Sequence, residues 1–448
     1  MSIYLDNSAT SFPKPECVYA AIEAYMRGNG ASPGRGNYEK AMTAEKLVYE
    51  TRKSLAALIG AQKPSEIVFT QNATEAINTV IKGYLRPGDT VLTSNIEHNA
   101  VWRPLKKLER DQGVKVNCFH VSPEGEVDLD EIAVLLGGSG AGSADNGTAG
   151  TGAGAGDTGA AGGTGAAGGT RAPDDTASCT GAGGAGAGTG DAGKTGGTGP
   201  RPPVQLCVFV HGSNVLGNIL PLDQITRLAH AAGAAVLVDA SQTAGVSPLD
   251  VARDNVDFMA FTGHKGLLGP TGTGGFYMRS GLQLNTLKEG GTGSMASSPF
   301  QPELPPDRFE AGTMNIFGLA GLNAAVDYLR DFGVANILAH ERRLCARLIE
   351  GLASLPGTEL YGSRAPGQKT GVVAFNLGAQ DPIKVAAALD GEYGIMVRAG
   401  LHCAPQAHRV LGTAERGALR ASIGPFNTDE QIDQLLTALQ SLSGRDLG

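Results

Sequence analysis

Short apolar segments alternate with amphipathic helical segments along most of the chain, and this alternation limits the fold more than any other feature. It predicts strands over residues 65–70, 89–95, 205–214, 234–242 and 274–280, and one strand that ends at Thr262. Helices are predicted over residues 73–85, 127–136 and 222–233. Apolar strands separated by helices are typical of a parallel sheet covered on both faces. We therefore predict an α/β fold with a doubly wound, mostly parallel sheet.

The C-terminal part of the chain has a different pattern. A long helical region over residues 316–355 leads into an α+β segment, with strands predicted over 371–377, 394–400 and 419–424. Helices are predicted over residues 382–394 and at the end of the chain. We predict a large domain, residues 18–295, and a smaller α+β C-terminal domain made of residues 1–17 and 296–448.

One segment, residues 137–203, breaks the pattern of the large domain. Of its 67 residues, 25 are glycine, and none is Val, Ile, Leu, Met, Phe, Tyr or Trp. A segment with so little apolar surface cannot offset the entropy lost on ordering. We therefore predict a flexible, low-complexity insertion rich in Gly, Ala and Thr.

Charge and composition exclude several classes of protein. The formal net charge is -8 and no basic stripe is present, which argues against a nucleic-acid partner. No apolar run approaches the roughly 18 residues of a membrane span, and the first residues do not resemble a signal peptide. The 6 cysteines are scattered without a CxxC pair, which argues against a metal site or a disulfide framework. These features predict a cytoplasmic protein and leave open one reactive thiol.

The stretch FMAFTGHKGLLGPTGTGG, residues 258–275, ends an apolar strand close to Lys265. Lysine is rarely buried unless it is paired or used chemically, and desolvation lowers its pKa and makes the amine more nucleophilic. Such a lysine could hold a carbonyl compound as a Schiff base. From this stretch alone, a lysine at the start of a solvated loop explains the pattern equally well.

Other polar residues also follow predicted strands, where ligands bind in open parallel sheets. The amides of Ala73 and Thr74 would form an anion cradle, although Thr74 could instead be a helix N-cap. Asp239 ends a fully apolar strand and needs a cationic partner or several donors. The remaining residues of this kind are His98, Asn214, Gln242, Thr262 and His264. Pyridoxal phosphate needs this set: donors for its phosphate, a carboxylate for its ring nitrogen and a lysine for its aldehyde.

Several motifs along the chain resemble one family. NATEAIN, EHNA, SNVLGN, VDASQ, TGHKGLLGPTGTGG, FEAGTMN, RAGLHCA and RASIGPFNT are similar to motifs of the cysteine desulfurases, which are class-V aminotransferase-like pyridoxal phosphate enzymes of fold type I. The N-terminal YLDNSAT resembles that family as well. The resemblance covers the chain except for residues 137–203, and it implies the fold and the cofactor given above.

For the cofactor side of the site, the resemblance implies a role for each matching residue. Lys265 matches the lysine that forms the Schiff base, Asp239 the partner of the pyridine nitrogen, and His98 the histidine stacked on the ring. Gln242 and Asn214 match residues that line the ring. The phosphate would be bound by Ala73 through its backbone, with Thr74, Thr262 and His264. Thr313 matches a residue that reaches the phosphate of a neighbouring subunit, which implies a homodimer.

For the substrate side, the resemblance implies that Arg398 and Arg420 lie near the substrate carboxylate; without it, surface ion pairs explain both equally well. Cys403 resembles the cysteine that forms a persulfide. His98 and Lys265 would complete the catalytic set. The motif departs from relatives that have two histidines before the cysteine, because Leu401 precedes His402 here.

The resemblance therefore implies an L-cysteine desulfurase that forms L-alanine and passes sulfur from Cys403 to an acceptor protein, for iron–sulfur clusters or other sulfur-transfer pathways. A selenocysteine lyase and a class-V aminotransferase or epimerase are the alternative enzymes. A binding protein that keeps the fold without catalysis is the alternative of another class, disfavoured by the intact Lys265, Asp239 and Cys403.

Overall fold

A computed structural model describes residues 2–34, 36–137 and 203–445 of the chain. The predicted insertion therefore lies outside the described residues, apart from its two ends. The strands are β1 (Ile3–Tyr4), β2 (Ile67–Thr70), β3 (Thr90–Ser94), β4 (Lys115–Phe119), β5 (Leu206–Val210), β6 (Ala235–Asp239), β7 (Phe258–Thr262), β8 (Gly274–Met278), β9 (Thr358–Tyr361), β10 (Val372–Leu377), β11 (Ile395–Met396), β12 (Arg398–Gly400) and β13 (Ala418–Ser422).

The α-helices surround and connect these strands. They are α1 (Glu16–Gly28), α2 (Glu39–Leu58), α3 (Ala73–Tyr84), α4 (Asn99–Gln112), α5 (Leu129–Leu135), α6 (Leu222–Ala231), α7 (Ile316–Phe332), α8 (Val334–Ser354), α9 (Pro382–Tyr393), α10 (Pro405–Val410) and α11 (Asp429–Leu442). The strands and helices predicted from the sequence are confirmed to within a few residues, with two exceptions. The predicted helical region over 316–355 is two helices, because Gly333 has φ 91 and interrupts the helical backbone. The strand predicted over 394–400 is two short strands, since β11 pairs with β1 whereas β12 pairs with β13.

Seven strands form the large sheet in the order β2-β8-β7-β6-β5-β3-β4. The pairs among β3, β4, β5, β6 and β7 are all parallel, whereas β8 runs antiparallel to both β7 and β2. The prediction of a mostly parallel, doubly wound sheet is confirmed. The sequence pattern could not show the direction of β8, because a buried strand reads the same in either direction.

Helices cover both faces of this sheet because its strands are apolar on both sides. On β5, Leu206 and Val208 pack with α3 and α4, while Cys207 and Phe209 face the core that contains α1, α2 and α7. This is the alternation expected of a strand. All four of these side chains have 0% exposure, and burial of each large apolar side chain contributes about 1.5–3 kcal/mol.

The C-terminal region contains a four-stranded antiparallel sheet in the order β12-β13-β10-β9, packed against α8, α9 and α11. The N-terminal strand β1 joins this region by pairing in parallel with β11. Helix α7 packs instead on α1 and α2, under the large sheet. The division of the chain into two domains at residue 295 stays a prediction.

The two described ends of the insertion lie against each other. A Cβ built on Gly137 would be 2.6 Å from Cγ of Pro203. Gly137 follows α5 and Pro203 precedes β5, so both lie at the amino edge of the parallel strands. The described ends of the insertion, Gly137 and Pro203, therefore lie together on the edge of the sheet opposite the strand ends that carry the predicted site.

None of the helices in the part of the chain that the structure describes is long and apolar enough to cross a membrane.

Candidate active site

A cleft of about 470 Å³ opens at the carboxyl ends of β2, β3, β5, β6 and β7. Nine of the residues predicted from the sequence line this cleft: Ala73, Thr74, His98, Asn214, Asp239, Gln242, Thr262, His264 and Lys265. Since each strand of a parallel sheet delivers its last residues to the same edge, residues up to 192 positions apart in the chain meet here. The cleft thus brings together nine residues that the sequence analysis placed after strands, and their roles stay a prediction.

One end of the cleft has hydrogen-bond donors without partners. Asn72 caps α3 by accepting a 2.9 Å hydrogen bond from the amide of Glu75, so the residue at the N-cap is Asn72 and not Thr74. The amides of Ala73 and Thr74 in the first turn have no intrahelical acceptor. The Thr262 hydroxyl and Nδ1 of His264 are buried and have no hydrogen-bond partner among the described residues. These groups fit the phosphate of pyridoxal phosphate, because an anion at a helix N-terminus would satisfy them.

A carboxylate also lines the cleft. Asp239, at the end of β6, is 3% exposed, and its Oδ1 accepts hydrogen bonds from the amide (2.9 Å) and the hydroxyl (2.5 Å) of Ser241. Both donors belong to one residue and bind one oxygen, so this buried carboxylate suits a protonated pyridine nitrogen as an additional partner. The amides of two predicted ring-lining residues bind the protein itself: Gln242 donates to the Ser8 carbonyl (3.1 Å), and Asn214 donates to the His402 carbonyl (2.7 Å).

Lys265 lines the same cleft. Burial lowers the pKa of its amine to about 8, and the negative charge of Asp239 offsets part of that effect. A lysine with a pKa of about 8 has a substantial neutral fraction near neutral pH, and the neutral amine is the nucleophile. The strand end therefore places an activated amine beside a carboxylate.

His98 forms the wall of the cleft at the start of α4. Its Nδ1 accepts a 3.0 Å hydrogen bond from the amide of Ala100, which leaves the proton of a neutral ring on Nε2. Burial lowers the pKa of His98, so the imidazole is neutral near pH 7. A neutral imidazole in the wall of the cleft can stack on an aromatic cofactor.

A second carboxyl group, Glu97, lies next to His98 and was not predicted. Glu97 has 0% exposure, and burial raises its pKa to about 8. It hydrogen-bonds to Ser94 and accepts a 3.0 Å hydrogen bond from the amide of Val210. Burial therefore favours the protonated form of Glu97 over a second carboxylate charge near Asp239. The motif EHNA contained the residue, but only its burial reveals it.

Cys403 is exposed on a loop that leads into α10. His402 and Cys403 both have left-handed backbone conformations, with φ of 50 and 56. Such conformations cost about 1–3 kcal/mol for residues other than glycine and persist where neighbours hold them. Here the Asn99 amide donates to the Cys403 carbonyl at 2.8 Å.

A buried chain of side chains supports the same loop and was also missed. His402 Nδ1 lies 3.0 Å from His408 Nε2, and His408 Nδ1 lies 2.8 Å from the hydroxyl of Thr413. Burial lowers the pKa of both rings, to about 2 for His402 and about 4 for His408, so both are neutral. In the sequence, the spacing of six residues between the two histidines was the signal that could have indicated this chain of side chains.

Arg398 and Arg420 lie directly opposite each other on β12 and β13 and share one carboxylate. Arg420 Nη2 lies 2.6 Å from Asp6 Oδ1, and Arg398 Nε lies 3.2 Å from Asp6 Oδ2. Asp6 therefore offsets the repulsion between two cross-strand cations. Nε of Arg420 is buried without a partner in the described residues. Asp6 was not predicted, because it precedes these arginines by about 400 residues.

Thr313 does not reach the cleft of its own chain. It lines a separate cavity of about 1030 Å³, together with Thr70, Gln71 and Glu310. Cys403 lines a third cavity, of about 720 Å³, which shares Thr74, His98 and Ala100 with the cleft. The structure thus brings the predicted sulfur site next to the predicted cofactor site and leaves Thr313 apart.

Comparison with protein families gives one match that spans most of the chain. The sequence model of the family described as "Aminotransferase class-V" matches residues 3–139 and 200–435. A probable cysteine desulfurase of Methanothermobacter thermautotrophicus is 34% identical, covering 99% of this chain and 95% of that protein. A cysteine desulfurase of Salmonella newport is 32% identical, covering 97% of this chain and 92% of that protein.

Solved structures give the same result. The apo structure of a cysteine desulfurase from Thermococcus onnurineus NA1 superposes with a TM-score of 0.78 at 30% identity, over 99% of this chain and 95% of that one. The crystal structure of a cysteine desulfurase (S-sulfonic acid) from Escherichia coli has a TM-score of 0.76 at 27% identity, over 98% of this chain and 94% of that one.

Proposed function

The chain belongs to the cysteine desulfurases of the class-V aminotransferase family, and from that premise we propose that it converts L-cysteine to L-alanine and holds the released sulfur as a persulfide on Cys403. The observation that carries the proposal is the contact between two cavities. Lys265 and Asp239 line one cavity, exposed Cys403 lines the other, and His98 lies in the wall of both. An amine base and a thiol nucleophile can therefore act on one substrate.

Pyridoxal phosphate is the cofactor that fits this cleft. Its phosphate would be held by the amides of Ala73 and Thr74 with the unpartnered groups of Thr262 and His264. Asp239 would hold the ring nitrogen in its protonated form. When bound, the cofactor accepts the electron pair left at the α carbon of the amino acid after its proton is removed.

The residues of the chain supply the remaining steps. Lys265, with a pKa lowered to about 8 by burial, accepts the α proton at Nζ as a general base. Arg398 and Arg420 bind the substrate carboxylate, since a guanidinium fork suits a carboxylate. Asp6 forms ion pairs with both arginines, and its carboxylate holds the two guanidinium groups in place.

Cys403 completes the reaction as the sulfur acceptor. Its thiolate attacks the sulfur of the substrate, an S–S bond forms, and the C–S bond breaks with its electron pair moving to carbon. The thiol proton of the substrate is transferred to that carbon, so one L-cysteine and one thiolate yield one L-alanine and one persulfide. The thiolate is the reactive form of cysteine, and exposure of Cys403 gives it access to the substrate and to an outgoing acceptor.

The position of Thr313 supports a homodimer. Since Thr313 lies outside the cleft of its own chain, we propose that it contributes to the phosphate site of a second copy. Mixing a Lys265→Ala subunit with a Thr313→Ala subunit tests this proposal. If Thr313 acts across subunits, the mixed dimer regains one complete site and the cofactor affinity of the wild type; if it acts within its chain, no complete site forms.

The activity itself is tested by incubating the protein with pyridoxal phosphate and measuring L-alanine and sulfide formed from L-cysteine in the presence of dithiothreitol. Parallel assays with selenocysteine and cysteine sulfinate separate desulfurase activity from selenocysteine lyase activity. Alanine from L-cysteine together with mass addition of 32 Da on Cys403, the mass of one sulfur, supports the proposal. Transamination products without sulfide would contradict it. A cytoplasmic location and a sulfur-acceptor protein belong to the same proposal.

A further inference from the structure

A groove between α3 and α4 leads away from Cys403. Its walls are two rows of side chains spaced four residues apart, which places each row on one face of its helix. The rows are Thr74, Asn78 and Lys82 on α3 and Asn99, Arg103 and Lys107 on α4. Each row spans eight residues at 1.5 Å per residue, so the groove extends about 12 Å from the mouth of the site.

The charge along the groove changes with distance from the thiol. The residues nearest the cleft are neutral, and the distal residues are the cations Lys82, Arg103 and Lys107. Lys107 is paired with Asp111, at 2.5 Å, whereas Lys82 and Arg103 have no ion-pair partner within the described ranges. Arg103 is exposed and Lys82 is half-buried. Two unpaired cations therefore line a groove that begins at Cys403, in a protein whose net charge is -8.

We infer that this groove binds an acidic polypeptide segment that carries the thiol which takes sulfur from Cys403. The inference rests on the proposed function, since it requires a persulfide at that residue. The acceptor thiolate attacks the outer sulfur of the Cys403 persulfide, the S–S bond breaks, and the Cys403 thiolate leaves. The acceptor becomes a persulfide, and no oxidant or reductant is consumed.

The dimensions of the groove specify the segment. An extended peptide advances about 3.3 Å per residue, so with its thiol at Cys403 the residue two positions away lies level with Arg103, and the residue three or four positions away lies level with Lys82. Asp or Glu at those positions would form ion pairs with the two cations. Three cations over this short distance are too few to follow a nucleic-acid backbone, which favours a peptide.

The test uses the holoenzyme loaded with sulfur from L-cysteine and three synthetic thiol peptides: Cys-Gly-Glu-Glu, its Gln-Gln counterpart and its Lys-Lys counterpart. Opposite charge raises encounter rates by about tenfold or more at low salt, so transfer to the acidic peptide should be about tenfold faster than to the neutral one. The advantage should decline between 20 and 500 mM salt, by about tenfold, because exposed charges are screened.

The double variant Lys82→Glu/Arg103→Glu should reverse the order of the peptides, with the Lys-Lys peptide fastest. Alanine formation with neutral dithiothreitol as acceptor should stay at the wild-type rate in this variant. The matched control is Arg364→Glu/Lys384→Glu, which changes the same residue types at exposed positions outside the groove and should keep the wild-type order.

An unchanged preference for the acidic peptide in the groove variant would overturn the inference. Loss of dithiothreitol-supported turnover in that variant would also overturn it, because the groove would then serve the substrate or cofactor. If the wild type itself forms no alanine with dithiothreitol, the proposed function fails instead, and the two failures are therefore distinct.

Discussion

Lys265 follows a fully buried strand of the large sheet, whereas Cys403 lies exposed on a loop beside the smaller sheet. The amine is activated by its surroundings: burial lowers its pKa, and Asp239 limits the effect. The thiol is instead positioned by hydrogen bonds to its loop, from Asn99, Asn214 and the pair of buried histidines. The comparison suggests that one nucleophile remains in place for chemistry, while the other must also meet an external partner.

The largest expected effect comes from removing the amine. Lys265→Ala should reduce L-alanine formation by a factor of about 10³ or more, since loss of a nucleophile or general base has effects of this size. The rate should be measured from single turnovers, with the absorbance spectrum showing whether the cofactor is still bound covalently. Lys265→Arg is the control that keeps the positive charge without a usable amine, and it should be equally inactive. Near wild-type alanine formation by either variant would show that Lys265 is not the general base.

Removing the thiol of Cys403 should abolish sulfur release without affecting the cofactor site around Lys265. Cys403→Ser should bind the cofactor normally but lose sulfur release from L-cysteine by about 100-fold or more, because a serine hydroxyl is a far weaker nucleophile. Selenocysteine turnover should be affected less, since selenium is the better leaving group. Cys17→Ser is the matched control, because Cys17 is also exposed and free. Sulfur transfer at the control's rate would show that Cys403 is not the sulfur carrier.

The activation of the amine by its surroundings can be measured through pH. Uptake of pyridoxal phosphate by the apoprotein needs neutral Lys265, so its rate should rise with pH through a midpoint of about 8. Asp239 raises the pKa of Lys265, and Asp239→Asn should therefore move that midpoint to lower pH. Asp239→Glu keeps the charge and should leave the midpoint in place. Stopped-flow absorbance gives the rates, and identical midpoints for the Asn and Glu variants would mean that charge does not tune the amine.

The positioning of the thiol can be weakened without touching it. Thr413→Val removes the hydroxyl that lies 2.8 Å from His408 Nδ1 and leaves a buried ring nitrogen unpaired. A lost buried hydrogen bond costs about 1–3 kcal/mol, so the rate of sulfur release should fall about fivefold or more while cofactor uptake stays unchanged. Thr413→Ser keeps the hydroxyl and should behave as wild type. Equal losses of cofactor uptake and sulfur release would show that the Cys403 loop and the cofactor cleft do not depend on separate hydrogen bonds.

The smallest effect is expected far from both nucleophiles. Replacing residues 138–202 by a short turn should leave alanine formation within about twofold, because Gly137 and Pro203 already lie in contact at the opposite edge of the sheet. Closing a shorter loop costs less entropy, and the free energy of unfolding should rise by up to about 2 kcal/mol. Thermal unfolding and the single-turnover assay measure both quantities. A folded deletion protein without cofactor affinity would show that the segment reaches the site.

The sequence predicted those parts of the site that depend on burial at a strand end. Asp239 and Lys265 each follow an apolar strand, where a charged side chain needs a partner or a chemical use. This signal can be seen from the neighbouring residues in the chain. Asp6 gives no such signal, because its partner Arg420 is 414 residues away. Glu97 was hidden for another reason, since its burial depends on the packing of β5 against β3.

The same limit applies to the fold. The alternation of strands and helices predicted the sheet but not the direction of β8, which depends on pairing with β2 and β7. Helices α1 and α2 were not assigned from the sequence, although both pack on α7. Local periodicity thus revealed the elements that bury most of their surface. The contacts between distant segments are visible only in the folded structure.

The pairing of Asp6 with Arg420 has a consequence for how the protein is made. On the ribosome β1 and Asp6 emerge well before their partners β11, β13 and Arg420, which are synthesised about 400 residues later. At about 5–20 residues per second, the N-terminal segment waits roughly 20 to 80 s before its partners exist. The large sheet can form in that interval, whereas Asp6 can meet the two arginines only after β13 has been synthesised. A nascent chain that has not reached β13 therefore lacks the ion pairs that hold Arg398 and Arg420 together.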